Sequence, residues 1–284
     1  MATFTNQATL SYNDTVTNSN VAVGEILDVL TMTKTAVFPT YSENNDVTYV
    51  ISIVNAGSTA FNGLTLTDNL GAYAFETLTL YPLAYKAGSL RYYVNGVLQT
   101  SPTVTSEQLL RISGINVPAG GNAIIIYEAE ATGFAPRAAA GSITNTATLT
   151  AEGLSAPITA SETVRVSETP ALSISKSLSP TTVTENGRIT YTFVIQNNGN
   201  TAATASDNAV INDTFSPILS NISVTFNGNP WQAPANYTYN TATGEFETVA
   251  GQISVPAATY TRDPVSGRLI TTPGISTLTV SGNI

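Results

Sequence analysis

The sequence predicts an all-β protein built from two tandem sandwich domains, and three observations carry that expectation. Short bursts of Thr, Val, Ile and Tyr are punctuated by 20 Gly and 14 Pro, which reads as strands between turns. Within the bursts, apolar and polar residues alternate with the period of a strand. The chain also repeats itself, and its 284 residues suit two domains of ~100–200 residues each.

Taken in order, residues 1–27 form an N-terminal strand or hairpin segment. Residues 28–168 form the first sandwich and residues 169–284 the second, with the junction near Glu168-Thr169-Pro170. The first sandwich opens on Thr33-Lys34-Thr35, which recurs as Ser175-Lys176-Ser177. Its next strand, Val47-Thr-Tyr-Val-Ile-Ser-Ile-Val-Asn-Ala-Gly57, recurs as Ile189-Thr-Tyr-Thr-Phe-Val-Ile-Gln-Asn-Asn-Gly199. Leu64-Thr-Leu-Thr-Asp68 then matches Ala209-Val-Ile-Asn-Asp213, Val94-Asn95-Gly96 matches Phe226-Asn227-Gly228, and Val117-Pro118-Ala119 matches Val255-Pro256-Ala257.

The first sandwich continues with Gly141-Ser-Ile-Thr-Asn-Thr-Ala-Thr-Leu-Thr150 and a further strand to about Val166, whereas the chain reaches Ile284 without that continuation. The missing piece recurs at the other end. Phe4-Thr-Asn-Gln-Ala-Thr-Leu-Ser11 lines up with Ile143-Thr-Asn-Thr-Ala-Thr-Leu-Thr150, and a second strand-like run, Asn20 to Leu30, follows. A sandwich without its last strands exposes an unpaired edge and an apolar groove. A strand with Phe4, Ala8, Leu10 and Tyr12 on one face needs a surface to cover. Donation of the N-terminal strand to the second sandwich of the next molecule satisfies both, head to tail, and propagates as a filament. The bland alternative is a segment that folds back on its own chain or stays loose.

Composition narrows the function classes. There is no His and no Cys, which removes thiol nucleophiles, His general bases and disulfides. Charged residues make up 10% of the chain, and the formal charge of -9 disfavours nucleic acid and anionic lipid as partners. No run approaches the ~20 apolar residues of a membrane span. No leader peptide or wall anchor is visible, so an unusual export route or release from the producing cell is expected.

The pattern of Lys, then Val-Thr-Tyr-x-Ile-x-Ile-x-Asn-x-Gly, Leu-Thr-x-Thr-Asp and Ile-Thr-Asn-Thr-Ala-Thr-Leu-Thr resembles a bacterial conserved repeat domain of unknown function, common in clostridial and other surface proteins. The resemblance covers nearly the whole chain as two copies with permuted ends. It implies Ig-like sandwiches used as structural or adhesive modules on a cell or spore surface, and specifies no ligand.

One constellation carries chemistry. The chain has three lysines, Lys34, Lys86 and Lys176, and two occupy equivalent repeat positions. Alternation puts Lys34 in phase with Leu30, Met32 and Ala36, and Lys176 with Leu172, Ile174 and Leu178. The same test selects Asp68, Asp213, Asn145 and Asn6. An ammonium on an apolar face is costly unless paired or neutralised. The trio resembles the self-crosslinking sites of Gram-positive adhesin and pilus domains, in which a neutral Lys attacks an Asn carboxamide beside a protonated carboxyl. That resemblance implies a Lys34–Asn145 amide with Asp68 as catalyst, and a Lys176–Asn6 amide between subunits beside Asp213. The alternative is a buried Lys–Asp ion pair with Asn as a hydrogen-bonding third member.

Other features take ordinary readings. Gly120-Gly121, Asn95-Gly96 and Asn227-Gly228 read as hairpin turns rather than phosphate loops. Glu128 and Glu130 alternate with Ala on a strand and lack a calcium-loop pattern, so no metal or other cofactor is expected. The four Asn sequons beginning at Asn13, Asn212, Asn221 and Asn236 carry little weight in a chain that resembles a bacterial family. Tyr92, Tyr93, Trp231, Tyr237 and Tyr239 suit a glycan-stacking surface or, more often at this spacing, a core. No Gly-x-Ser-x-Gly elbow or Ser-x-x-Lys motif is present, so a turnover enzyme is not expected. The expected role is a structural subunit polymerising with itself. The alternative is a monomeric surface adhesin that binds glycan or host protein.

Overall fold

A computed structural model describes all residues of the chain except 1, 27, 28, 44, 107, 152, 153 and 155. Among the described residues the architecture is β-strand throughout, with one 3-10 turn at Ala205–Asp207.

The N-terminal segment is a self-contained hairpin of β1 (Ala2–Asn6), β2 (Thr9–Tyr12), β3 (Thr15–Asn18) and β4 (Ala22–Ile26). β1 pairs with β4 and β2 with β3, all antiparallel. Asn13 and Asp14 take φ of 44° and 62° at the tip, the positive angles that a tight two-residue hairpin turn requires. Ser19 bridges the break between the two pairs, accepting from the Ala8 amide and donating its own amide to the Ala8 carbonyl. Residues 4–23 are all exposed.

The first sandwich comprises β5 (Leu30–Ala36), β6 (Thr40–Tyr41), β7 (Asp46–Asn55), β8 (Phe61–Asp68), β9 (Tyr73–Phe75), β10 (Leu78–Leu80) and β11 (Leu83–Tyr85). It continues through β12 (Arg91–Val94), β13 (Val97–Leu98), β14 (Thr103–Ser106), β15 (Leu110–Val117), β16 (Asn122–Ala131), β17 (Ser142–Thr150) and β18 (Ile158–Val166). One sheet runs β13-β12-β16-β7-β5, with β11 also on β16, and the facing sheet runs β14-β15-β8-β17-β18-β6. Strict alternation on β7 and β16 sends Tyr49, Ile51, Ile53, Ile125 and Tyr127 into the core, against Leu64, Leu66, Ile112, Ala147 and Leu149 of the facing sheet.

The second sandwich follows with β19 (Leu172–Ser179), β20 (Arg188–Asn197), β21 (Asn212–Thr214), β22 (Ser220–Phe226) and β23 (Asn229–Trp231). β24 (Tyr237–Tyr239), β25 (Glu245–Thr248), β26 (Thr259–Arg262), β27 (Leu269–Thr272) and β28 (Gly274–Asn283) complete it. Its larger sheet, β19-β20-β28-β22-β23, reproduces the plan β5-β7-β16-β12-β13 strand for strand. The facing sheet, β24-β25-β21, reproduces β14-β15-β8 and then stops: the places of β17 and β18 have no occupant among residues 169–284. A separate core, led by Phe193, Phe215, Val224, Phe246 and Leu278, fills this sandwich.

The repeated motifs have structural meanings. Asn55 is buried at the end of β7, and its amide donates to the carbonyls of Thr59 (2.8 Å) and Pro118 (2.9 Å) while its oxygen accepts from Gly57 N. Asn197 does the same with Thr201 (2.7 Å), Pro256 (3.0 Å) and Gly199. The shared Asn-x-Gly and Val-Pro-Ala elements are thus the two halves of one side-chain staple that satisfies buried backbone. Asn95-Gly96 and Asn227-Gly228 are hairpin turns with positive φ at both positions. The aromatics also pack internally: Phe226 stacks on Trp231 at 4.8 Å, Tyr237 on Phe246 at 5.4 Å, and Tyr92 is buried.

The β26–β27 hairpin of the second sandwich lies against the first. Leu269 N donates to the Gly133 carbonyl (3.1 Å), and Arg262 stacks 5.1 Å from the Tyr73 ring and 5.9 Å from that of Phe75.

Candidate functional site

Lys34 sits on β5 in phase with Leu30 and Met32, and all three are buried. Its ammonium is paired with Asp68 Oδ2 at the end of β8, and both side chains are fully shielded from solvent. Two further donors complete the carboxylate: Tyr127 Oη to Oδ2 at 2.6 Å and Leu70 N to Oδ1 at 2.9 Å. Asn145 on β17 is also fully buried, and its Nδ2 donates to Tyr127 Oη at 3.2 Å. Lys34, Asp68, Tyr127 and Asn145 therefore form one continuous polar chain through the core, drawn from four strands of both sheets.

Burial dominates the electrostatics. Desolvation pulls the Lys34 ammonium down from 10.5 to about 8, against the attraction of Asp68 and the weaker field of Glu162. The same desolvation pushes the Tyr127 phenol well above its ordinary range, so that it stays protonated and available as a donor. Tyr49 stacks on Tyr127 at 5.5 Å, and the Lys34 ammonium lies 4.6 Å from the centre of the Tyr49 ring. Two buried atoms here complete no hydrogen bond: Tyr49 Oη and Asn145 Oδ1. The amide oxygen, which would take up negative charge on nucleophilic attack at Cγ, therefore has no hydrogen-bond partner.

Lys34, Asp68 and Asn145 are brought together as the alternation of the sequence suggests. Tyr127 and Glu162 were missed. Tyr127 lies between Ile125 and Ala129 on a core-facing strand and reads as an ordinary apolar position. Glu162 carried a usable signal, being in phase with Ala160 and Val164 on β18, where it pairs with Asn145 across the ladder.

The second site differs. Lys176 pairs with Asp213 Oδ2 and lies over the rings of Tyr191 (4.4 Å), Phe193 and Phe215 (both 5.4 Å). Burial of this pair, expected from its phase with Leu172, Ile174 and Leu178, does not occur: the side chains are 37% and 18% exposed. The reason is the missing cover. In the first sandwich β18 packs over β5, leaving Leu30 and Met32 at 4% and 8% exposure, whereas Leu172 and Ile174 on β19 stand at 40% and 54%. A groove lined by Leu172, Ile174, Ile195, Val210, Ile211 and Ile253 remains open beside β21.

The donor residues are free of both sandwiches. Phe4, Leu10 and Tyr12 are 56–61% exposed, Ala8 lies between β1 and β2, and Asn6 pairs with Ala22 within the hairpin. Among the described residues no helix is long and apolar enough to cross a membrane, and no cluster of acidic side chains is arranged to hold a metal ion.

No protein-family model and no curated protein sequence matches the chain. Solved structures show similarity at low identity. The pilus backbone of Streptococcus pneumoniae is 12% identical over 86% of this chain and 55% of its own length, with a TM-score of 0.35. The major pilin subunit of Bacillus cereus is 10% identical over 96% of this chain and 73% of its own, with a TM-score of 0.36. A collagen-binding domain from a Staphylococcus aureus adhesin is 13% identical, covering 50% of this chain and 99% of its own, at a TM-score of 0.31. At these values neither role nor ligand transfers.

Proposed function

We propose that the chain is the structural subunit of a surface filament, in which the N-terminal hairpin of one copy completes the second sandwich of the next. One observation carries the reading. The β24-β25-β21 sheet stops where the first sandwich continues with β17 and β18, and the sequence of β17 recurs at residues 4–11.

The register follows from the first sandwich, where β17 lies antiparallel to β8 with Ala147 opposite Asp68 and Leu149 opposite Leu66. Transferred by the repeat, Ala8 meets Asp213 and Leu10 meets Ile211. Phe4, Ala8 and Leu10 then fill the groove beside Leu172 and Ile174, and Asn6 comes beside Lys176 and Asp213. Main-chain pairing along β21 supplies affinity and the alternate side chains supply specificity. Since donor and acceptor lie on different parts of the chain, the contact is heterologous and adds copies without closing.

Within the first sandwich, Lys34, Asp68 and Asn145 support an intramolecular amide that fastens β5 to β17 across the core. The lowered affinity of Lys34 for its proton favours the nucleophilic amine. The role is structural, with no turnover of substrate, and its place is the cell surface.

The test uses a chain lacking residues 2–24 together with a synthetic peptide of residues 2–26. Binding of the peptide, with protection from hydrogen exchange of the Asn212 amide, which faces away from β25, is expected. An Asn212 amide left unprotected by the peptide, or one already protected in the truncated chain before peptide is added, would show that the edge is unavailable to the N-terminal hairpin.

A further inference from the structure

The two Lys–Asp sites differ at the atom that touches the amide nitrogen. In the first sandwich that atom is Tyr127 Oη, which donates to Asp68 Oδ2 (2.6 Å) and accepts from Asn145 Nδ2 (3.2 Å). The strand register identifies its counterpart. Tyr127 pairs with Tyr49 across β16 and β7, and Tyr191, the repeat equivalent of Tyr49, pairs with Val280 across β28 and β20. The second sandwich therefore has a valine where the first has the bridging phenol. The neighbouring strand differs as well: Asn145 is opposite Glu162, but Asn6 is opposite Ala22.

We infer that Tyr127 is the catalytic proton relay for amide formation between Lys34 and Asn145, and that the joint between subunits, lacking this phenol, stays non-covalent. The inference rests on the crosslinking reading given above. In the paired ground state the Lys34 ammonium passes one proton to the Asp68 carboxylate, leaving a neutral amine and a neutral acid. The Nζ lone pair attacks Asn145 Cγ to form the new C–N bond. Collapse of the adduct breaks the Cγ–Nδ2 bond, and the departing nitrogen needs a proton to leave as ammonia. Tyr127 Oη already contacts that nitrogen, so it delivers its proton to Nδ2 and is reprotonated by Asp68. The surplus proton on Nζ passes to Asp68 in its turn. Overall, ammonium, carboxylate and carboxamide become amide, carboxylic acid and ammonia, with atoms and charge conserved.

The geometry explains why a carboxyl alone is insufficient. Asp68 makes no hydrogen bond to Asn145, since Tyr127 stands between them, so the leaving nitrogen is reached only through the phenol. The phenol is fully buried and held by stacking on Tyr49. At the second site Val280, in the place of Tyr127, offers no proton to the departing nitrogen. The molecule thus has a permanent internal fastening in one sandwich and a reversible joint at the other.

The test is the intact mass of the denatured full-length chain and the rate at which it falls by one ammonia after refolding. The wild type is expected to lose one ammonia, mapped to linked Lys34 and Asn145 peptides. Tyr127→Phe keeps the ring and its stacking and should slow the loss by about a hundredfold or more, the usual weight of a general acid. Val280→Tyr gives the readout that a merely structural phenol would not move: assembled copies should acquire a covalent Lys176–Asn6 link and run as a ladder on a boiled denaturing gel. A wild type that loses no ammonia would sink the crosslinking reading and this inference with it. A Tyr127→Phe chain that reacts at the wild-type rate would overturn the relay alone. A boiled ladder from wild-type filaments would overturn the non-covalent joint.

Discussion

Replacing Asp68 by Asn tests whether the ion pair in the first sandwich is a buried one whose charges depend on each other. An Asn145→Ala background keeps the Lys34 amine free, so that only the pair is measured. Asp68 accepts from Lys34, Tyr127 and Leu70 N with no solvent exposure, and water cannot replace a lost acceptor. Leaving a buried ammonium unpaired costs about 3–5 kcal/mol. In a chain lacking residues 2–24, whose second sandwich stays uncovered, the repeat supplies the control: Asp213→Asn breaks the equivalent pair where both partners reach solvent, and such pairs contribute about 0–1 kcal/mol. Urea titration separates the two sandwiches. The single tryptophan, Trp231, reports the second by its emission, while far-ultraviolet circular dichroism follows both. The first transition should fall by about 3–5 kcal/mol with Asp68→Asn, and the second by about 1 kcal/mol or less with Asp213→Asn. Equal losses at the two positions would refute the argument that cover by β17 and β18 sets the environment of the pair.

Three further outcomes follow from the structure. Lys34 binds its proton less tightly in the folded state (about 8) than in the unfolded one (10.5), so the unfolded chain holds more protons between those values and stability must rise with pH there. In the Asn145→Ala chain the gain should begin near pH 8, with a slope of at most about 1.4 kcal/mol per pH unit before the tyrosines titrate, and vanish on adding Lys34→Met. Asn197→Ala removes the staple to Thr201, Pro256 and Gly199 and should destabilise the second sandwich by about 1–3 kcal/mol, read from Trp231 emission in urea. Thr9→Pro should prevent assembly in sedimentation velocity while leaving both unfolding transitions unchanged, because Thr9 is exposed and is the repeat equivalent of Thr148, which lies opposite Thr67, so its amide is a group that would pair along β21.

The parts legible in the sequence were those that depend on alternation within one strand. Lys34, Asp68 and Asn145 betray themselves as polar residues at apolar phases, and the repeated Val-Thr-Tyr and Val-Pro-Ala elements mark equivalent strands. The illegible parts depend on what lies across a sheet or beyond a sandwich. Lys176 has the same phase as Lys34, yet is partly exposed, because no strand of residues 169–284 covers β19 as β18 covers β5. Tyr127 meets Asp68 and Asn145 only across the sandwich, on the facing sheet, a contact that no local pattern encodes. The approach of Arg262 to Tyr73 and Phe75 is likewise a tertiary fact, set by how the β26–β27 hairpin lies on the first sandwich.

The central claim is that copies of this chain join head to tail through the N-terminal hairpin, and negative-stain electron microscopy tests it most directly. The full-length chain should form filaments with a repeat of about two sandwich lengths, and the chain lacking residues 2–24 should give separate particles. Separate particles from the full-length chain, or filaments that survive the deletion, would contradict it.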